Sequence, residues 1–156
     1  MRIGHGFDVH RFSDDPSRAL WLGLNRVEGP GLDGHSDADV VAHALADALL
    51  GAAGLGDLGT HFPNSDVRWL GVASREILTL VTAKLEDASW RLVNADVTVV
   101  AEQPRLAPHR IAMEAALSEV VGAPVTLKAT TSEGLGFTGR GEGIAAFAVC
   151  IVEERI

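Results

Sequence analysis

The chain predicts an α+β sandwich in which helices cover one face of a mixed sheet, and three observations carry that reading. Segments with period-two alternation interleave with segments of apolar 3.6-residue spacing. Gly, Pro, Asp and Asn fall between these segments. No repeat, low-complexity stretch or linker divides the 156 residues, so one domain spanning 1–156 is expected. A hydrophobic content of 47% is ordinary for a packed globular chain. At this length roughly 68–70% of the unfolded surface is buried on folding, enough to dispense with disulfides or a structural metal.

Arg2 to Phe12 sets Ile3, His5, Phe7 and Val9 on one face and Gly4, Gly6, Asp8 and His10 on the other, and predicts a strand. Leu20 to Leu24 predicts a second. Ser36, with Asp39 three residues on, predicts an N-cap and a weak capping box. The amphipathic helix so opened runs through Val40, Val41, Ala44, Leu45, Ala48 and Leu49, and Gly51 to Gly56 closes it. Ile77, Leu78, Val81 and Leu85 predict a helix over Ser74 to Ala88, and Trp90 to Ala101 a strand. Pro108 at a first turn predicts a helix to Val121. Val125 to Thr130 and Gly143 to Glu153 predict strands separated by a glycine-rich loop.

A net charge of -8, from 21 acidic and 13 basic side chains with no block of Lys or Arg, argues against a nucleic-acid partner. Cys150, the one cysteine, sits in the apolar run Ile144 to Val152 and predicts a buried inert thiol in a reducing compartment. The first residues enter a patterned segment at once, and no run approaches membrane-spanning length. A soluble cytoplasmic protein with no membrane partner is expected.

Asp8 and His10, two apart on a strand, project the same way and can grip one ion, whereas His5 has the opposite parity. His43 on the following helix is the candidate third ligand. Asp39 and Asp47, at i−4 and i+4, are candidate carboxylates to fix its tautomer. Two imidazoles and one carboxylate leave a tetrahedral position open, the pattern of catalytic rather than structural zinc. On spacing alone the same residues also fit ordinary hydrogen-bonded polar side chains.

His35 and Ser36 precede the helix start, where unpaired amides and the dipole favour an anion. The segment Thr130 to Gly143 supplies hydroxyls, amides, Arg140 and two carboxylates. Its formal G-x-G-x-x-G at Gly134, Gly136 and Gly139 leads into a strand, so it is not a dinucleotide fingerprint, and no G-K-[ST] makes it a P-loop. An irregular turn using positive φ at its glycines is the alternative. Glu133, beside three hydroxyl residues, is a candidate ligand for a magnesium or manganese ion that also touches phosphate. Ala101 to Pro108 is a proline-bracketed loop suited to presenting backbone groups and Arg105. Asp57 to Gly59 and Phe62 to Asp66 form another polar loop, of a kind that also serves as plain connection.

Taken together, three blocks closely resemble the 2-C-methyl-D-erythritol 2,4-cyclodiphosphate synthase family over nearly the whole chain. They are Gly6-Phe7-Asp8-Val9-His10; His35-Ser36-Asp37-Ala38-Asp39 through His43-Ala44-Leu45 to Gly51; and Lys128-Ala129-Thr130-Thr131-Ser132-Glu133 through Gly136-Phe137-Thr138-Gly139-Arg140-Gly141-Glu142-Gly143. The fold expected is then a single-domain α+β sandwich in a ferredoxin-like arrangement. The resemblance implies a homotrimer, with each active site in a cleft between adjacent subunits and a central channel able to hold an isoprenoid diphosphate. It implies a lyase of non-mevalonate isoprene biosynthesis. The 2-phosphate of 4-diphosphocytidyl-2-C-methyl-D-erythritol 2-phosphate attacks the β-phosphorus of its own diphosphate and expels CMP.

Carried over by position, Asp8, His10 and His43 resemble the ligands of zinc or another divalent ion, and Glu133 the ligand of a second ion, Mg2+ or Mn2+. His35 and Thr131 resemble the catalytic groups that position and stabilise the phosphates. Substrate contacts are implied at Asp8-Val9-His10, at His35-Ser36, at Asp57-Leu58-Gly59 and at Phe62-Pro63-Asn64-Ser65-Asp66. They are implied also at Ala101-Glu102-Gln103-Pro104-Arg105-Leu106-Ala107, at Thr130-Thr131-Ser132-Glu133, and at Phe137 and Arg140. Arg105 stands where lysine is common, exchanging a point charge for a fork. Ser132 stands where threonine is common, and Asn64 where aspartate often stands.

Overall fold

Alternation along Arg2–Arg11 (β1) builds the first strand, and a short hairpin follows in Leu20–Leu22 (β2) and Asn25–Val27 (β3). Next come Val40–Ala53 (α1), the single turn Leu58–His61 (α2), a 3-10 turn at Val67–Trp69, and Ser74–Asp87 (α3). Trp90–Val100 (β4), Arg110–Val121 (α4), Val125–Thr130 (β5), the single turn Gly136–Gly139 (α5) and Gly143–Glu154 (β6) complete the chain. The computed structural model describes residues 1–155.

The main sheet has the order β1-β6-β4-β5, with β6 antiparallel to both neighbours and β4 parallel to β5. It is mixed, as the pattern predicts, and α1, α3 and α4 pack on it. The ferredoxin-like expectation needs correction. The crossover from β1 to β4 leaves a slot that β6 fills, as in a split β-α-β unit. The second crossover, β4-α4-β5, sets its strands side by side, because only one strand remains to fill a slot.

Residues Val40 to Ala53 are buried almost all round, so α1 is a central helix rather than an amphipathic one. The close approach of β1 makes this possible. A Cβ on Gly4 would lie 1.9 Å from the Ala48 carbonyl oxygen, and one on Gly6 1.9 Å from that of Ala44. Glycines on the strand and alanines on the helix thus let two backbones touch.

The N-cap of α1 is Asp39, not Ser36: its carboxylate accepts the amides of Val41 and Ala42. It also accepts Gly23 N–H at 2.9 Å and Leu24 N–H at 2.7 Å, the two turn residues of the β2–β3 hairpin. Both have positive φ, 56° and 65°, as a type I′ turn requires. The amides of Val41 and Ala42 at the α1 amino terminus are therefore taken by the helix's own cap rather than left free for an anion. Helix α4 begins at Arg110, two residues after Pro108.

The sheet face away from α1 is bare. Ile3, Phe7, Val9, Phe147 and Val149 lie on it, between 40% and 73% exposed. Cys150 is buried, and burial pushes its thiol up to about 11. Among the described residues no helix is long and apolar enough to cross a membrane.

Candidate active site

Parity on β1 sends Asp8 and His10 toward α1, whose second turn brings His43 to meet them. Asp8 Oδ2 lies 3.2 Å from His10 Nε2 and 3.1 Å from His43 Nδ1. One ligand atom from each of the three residues lies within 4.8 Å of the others, and among the described residues this is the one such cluster of three His, Cys, Asp or Glu.

Both ring orientations suit a metal. His10 Nδ1 is 2.6 Å from the Asp33 carbonyl oxygen, which can only accept, so Nδ1 carries a proton and Nε2, now facing Asp8, is the nitrogen that could serve an ion. His43 turns Nδ1 to Asp8 and Nε2 to Ser74 Oγ at 2.9 Å and Ser36 Oγ at 3.2 Å. Neither Asp39 nor Asp47 reaches the ring. Asp39 caps α1, and Asp47 accepts the Leu58 amide at 3.1 Å, tying α1 to α2. Burial alone would push the Asp8 carboxyl up, but hydrogen bonds from His10 and His43 and their charge outweigh it and hold it well below the usual carboxylate range. Burial opposes a charge on His10, and Asp8 nevertheless raises that imidazole above its ordinary value.

The cluster opens on a cavity of about 210 Å3 lined by Gly34, His35, Ser36, Leu58, Gly59, Phe62, Asn64, Trp69, Val72 and Ile77. His35 Nε2 is 3.3 Å from the Asp66 carbonyl oxygen. Asp57 caps α2, and Asp66 caps the 3-10 turn and pairs with Arg68. Phe62 and Trp69 stack edge-on at 4.9 Å to form one wall. Pro63 and Ser65 flank that wall without lining the cavity, and Val9 sends its side chain to the bare sheet face.

The other expected contacts lie elsewhere. Ala101, Glu102, Pro104, Arg105, Leu106, Ala107, Thr130 and Thr131 line a second cavity of about 460 Å3, joined there by Arg110, Leu127, Lys128 and Ala129. Gln103 does not line it. Glu102 accepts the Ser132 amide at 3.2 Å, which fastens the two loops together. The Ser132 hydroxyl is used within the loop, donating to the Leu135 carbonyl at 2.7 Å. Glu133 is exposed, has φ of 55° and accepts the Thr131 hydroxyl at 3.1 Å. Phe137 lines a third, apolar cavity with Phe7, Val100, Thr138, Ala145 and Phe147, and Arg140 pairs with Glu142 at 2.6 Å.

The two polar cavities share no residue. Register explains why: Val9 pairs with Ala145, Ala145 with Val100, and Val100 with Thr130. Asp8 thus sits on one edge strand and Thr130 on the other, three strand spacings or roughly 14 Å apart.

Spacing gave no hint of several residues. Asp33 acts through its carbonyl, and Ser74 and Trp69 arrive from a distant segment. Arg18 clamps the loop before α1, donating to the carbonyls of Leu32, Gly34 and Ser36. A lone arginine in a polar turn carries no sequence signal for that role.

The YgbB family profile matches residues 1–153. The bifunctional enzyme IspD/IspF of Anaeromyxobacter dehalogenans is 53% identical over 155 residues, 97% of this chain and 40% of that protein. The chain thus spans about 40% of the length of such bifunctional relatives. The 2-C-methyl-D-erythritol 2,4-cyclodiphosphate synthase of Symbiobacterium thermophilum is 52% identical over 99% of this chain and 100% of its own length. A solved structure of a 2C-methyl-D-erythritol-2,4-cyclodiphosphate synthase in a CDP-bound form superposes with a TM-score of 0.87 at 37% identity, covering 97% of this chain and 100% of the other.

Proposed function

Because the chain belongs to the YgbB family, that of the 2-C-methyl-D-erythritol 2,4-cyclodiphosphate synthases, we propose that it is a lyase making the cyclic diphosphate of the non-mevalonate pathway. The substrate is 4-diphosphocytidyl-2-C-methyl-D-erythritol 2-phosphate. An oxygen of its 2-phosphate forms a bond to the β-phosphorus, the bond from that phosphorus to the bridging oxygen breaks, and CMP leaves with that oxygen. The observation that carries this reading is the Asp8, His10 and His43 cluster, its potential ligand atoms within 4.8 Å of one another in a cavity also lined by His35 and Ser36.

Those three residues fit a zinc-like ion by number, type and tautomer, and would hold it with a coordination position open to the substrate. When bound, that ion supplies positive charge against a phosphate oxygen. The protein's own groups do the rest by orientation, since in-line phosphoryl transfer asks little covalent work of the enzyme. His35 reaches a phosphate across the cavity from His43. Ser36 Oγ accepts the Ala38 amide at 3.1 Å and faces the His43 ring, which leaves its hydroxyl proton free for the ligand. Phe62 and Trp69 keep water from the reacting phosphates.

The cavity of Ala101 to Ala107 and Thr130 to Thr131 takes the cytidine diphosphate end, with Arg105 and Lys128 offering cations. Bound CDP in the related structure supports that ligand class. Glu133 with the Thr131 hydroxyl provides few protein oxygens, as suits magnesium or manganese held largely by substrate phosphates. Two half-sites about 14 Å apart in one chain meet if a neighbouring copy contributes the second half. A homotrimer closed through the bare faces, with an apolar channel lined by Phe7 and Phe147, satisfies this. The buried thiol of Cys150 suits a reducing cytoplasm.

The deciding experiment incubates zinc-loaded protein with the cytidyl substrate and follows products by phosphorus NMR. Equal amounts of CMP and a cyclic diphosphate are expected. Free phosphate or a linear product points instead to a zinc phosphohydrolase, and tight binding without CMP release to a non-catalytic carrier.

A further inference from the structure

Behind His43, on the side away from the cavity, stands a polar pair, buried Ser74 and half-buried Asp37, that the reaction itself does not use. Ser74, the first residue of α3, has no exposed surface, and its Oγ is 2.9 Å from His43 Nε2. Its hydroxyl donates to Asp37 Oδ1, and its amide donates to Asp37 Oδ2 at 2.8 Å. A serine has one hydroxyl proton, and an ionised carboxylate can only accept. With that proton committed to Asp37, the Ser74 oxygen can only accept from the imidazole.

We propose that Asp37 and Ser74 form a positioning relay that holds His43 as its Nε2-protonated tautomer and so presents the Nδ1 lone pair to the ion. The inference rests on the metal reading of the Asp8, His10 and His43 cluster. The relay is braced on both sides. Asp37 N–H donates to the Val72 carbonyl at 3.1 Å and Gly71 N–H to that of His35 at 2.8 Å, so the loop before α1 and the loop before α3 are pinned together. Ser36 is a poorer anchor for the ring, at 3.2 Å and already accepting the Ala38 amide. His10 is fixed by a backbone carbonyl that substitution cannot remove, whereas His43 depends on two side chains. The outer partners of metal-bound histidines contribute 10- to 100-fold in metal affinity.

The test has two arms. Nitrogen-15 NMR of the imidazoles in zinc-loaded wild-type protein should show His43 with its proton on Nε2 and Nδ1 on the metal. A proton on Nδ1, with zinc held through Nε2, overturns the relay whatever the affinity result. In the second arm zinc affinity is measured by competition with a chelator. Ser74→Ala should weaken zinc roughly 10- to 100-fold and mix the tautomers, and Ser74→Thr, which keeps the hydroxyl, should restore both. Wild-type affinity in a folded Ser74→Ala protein overturns the proposal. If Ser74→Ala does not fold, Asp37→Asn takes its place under the same criteria. Wild-type protein that binds no zinc overturns the metal reading and the relay with it, whereas zinc held through Nε2 overturns the relay alone.

Discussion

At the scale of single residues, both imidazoles of the candidate metal centre are held from behind, His10 by the Asp33 carbonyl and His43 by Ser74 and Ser36. His43→Ala removes one of three ligands without disturbing the sheet, so zinc should be lost and turnover should fall on the order of 10³-fold, with the circular dichroism spectrum unchanged. Glu133→Ala should leave zinc content at the wild-type level by metal analysis and raise the magnesium or manganese requirement roughly 10-fold or more. Asp39→Ala strips a helix cap and orphans the amides of Gly23 and Leu24, and should cost about 2–4 kcal/mol in urea denaturation. The Asp8, His10 and His43 cluster was legible in the sequence because strand parity fixes where Asp8 and His10 point. The second sphere was not. Asp39 and Asp47 flank His43 along the helix, but α1 is buried, and each carboxylate is drawn to backbone amides while Ser74 comes in from 31 residues away. Ser36 and Asp39 are both good caps three residues apart, and only the path of the chain into α1 decides between them.

Among the elements, β1 and α1 are the pair on which the centre is built, since they supply all of its ligands. Their spacing is set where Gly6 meets the Ala44 carbonyl, one residue along from His43. Gly6→Ala should therefore cost roughly 2–3 kcal/mol or more and, by moving α1 off the strand, weaken zinc binding as well. Thermal unfolding with and without zinc checks both effects, and a variant that is destabilised but still binds zinc normally would separate packing from ligand geometry. Long elements were legible because alternation and helical spacing persist over many residues: Val125–Thr130 has the bounds that its pattern predicts. The β3 strand was hidden because Gly23-Leu24 lacks the usual Asn-Gly signal, and its positive φ at a leucine is held by Asp39 from outside the hairpin. The ferredoxin-like order failed for a related reason: local pattern predicts strands but does not say which slot β6 enters.

For the whole molecule, the bare apolar face and the two separated half-sites ask for the same solution, a symmetric assembly. Mixing two variants, at a magnesium concentration too low for Glu133→Ala to turn over, tests it. His43→Ala and Glu133→Ala chains, unfolded and refolded together at equal amounts, should recover about a quarter of wild-type turnover, the share of interfaces at which two intact halves meet by chance in a cyclic assembly. Refolding each alone should recover none, and equal failure of the mixture would place both halves in one chain. Composition and spacing carry no sign of such a division, because residues that share a substrate need not share a chain, and in the sequence it is only the family resemblance that implies it. The register across the sheet, from Val9 to Thr130, has one more effect. Under the assembly proposed above, with the two edges facing different neighbours, activity should depend on concentration: diluted far enough, each molecule should keep its fold and its Asp8, His10 and His43 cluster while turnover stops.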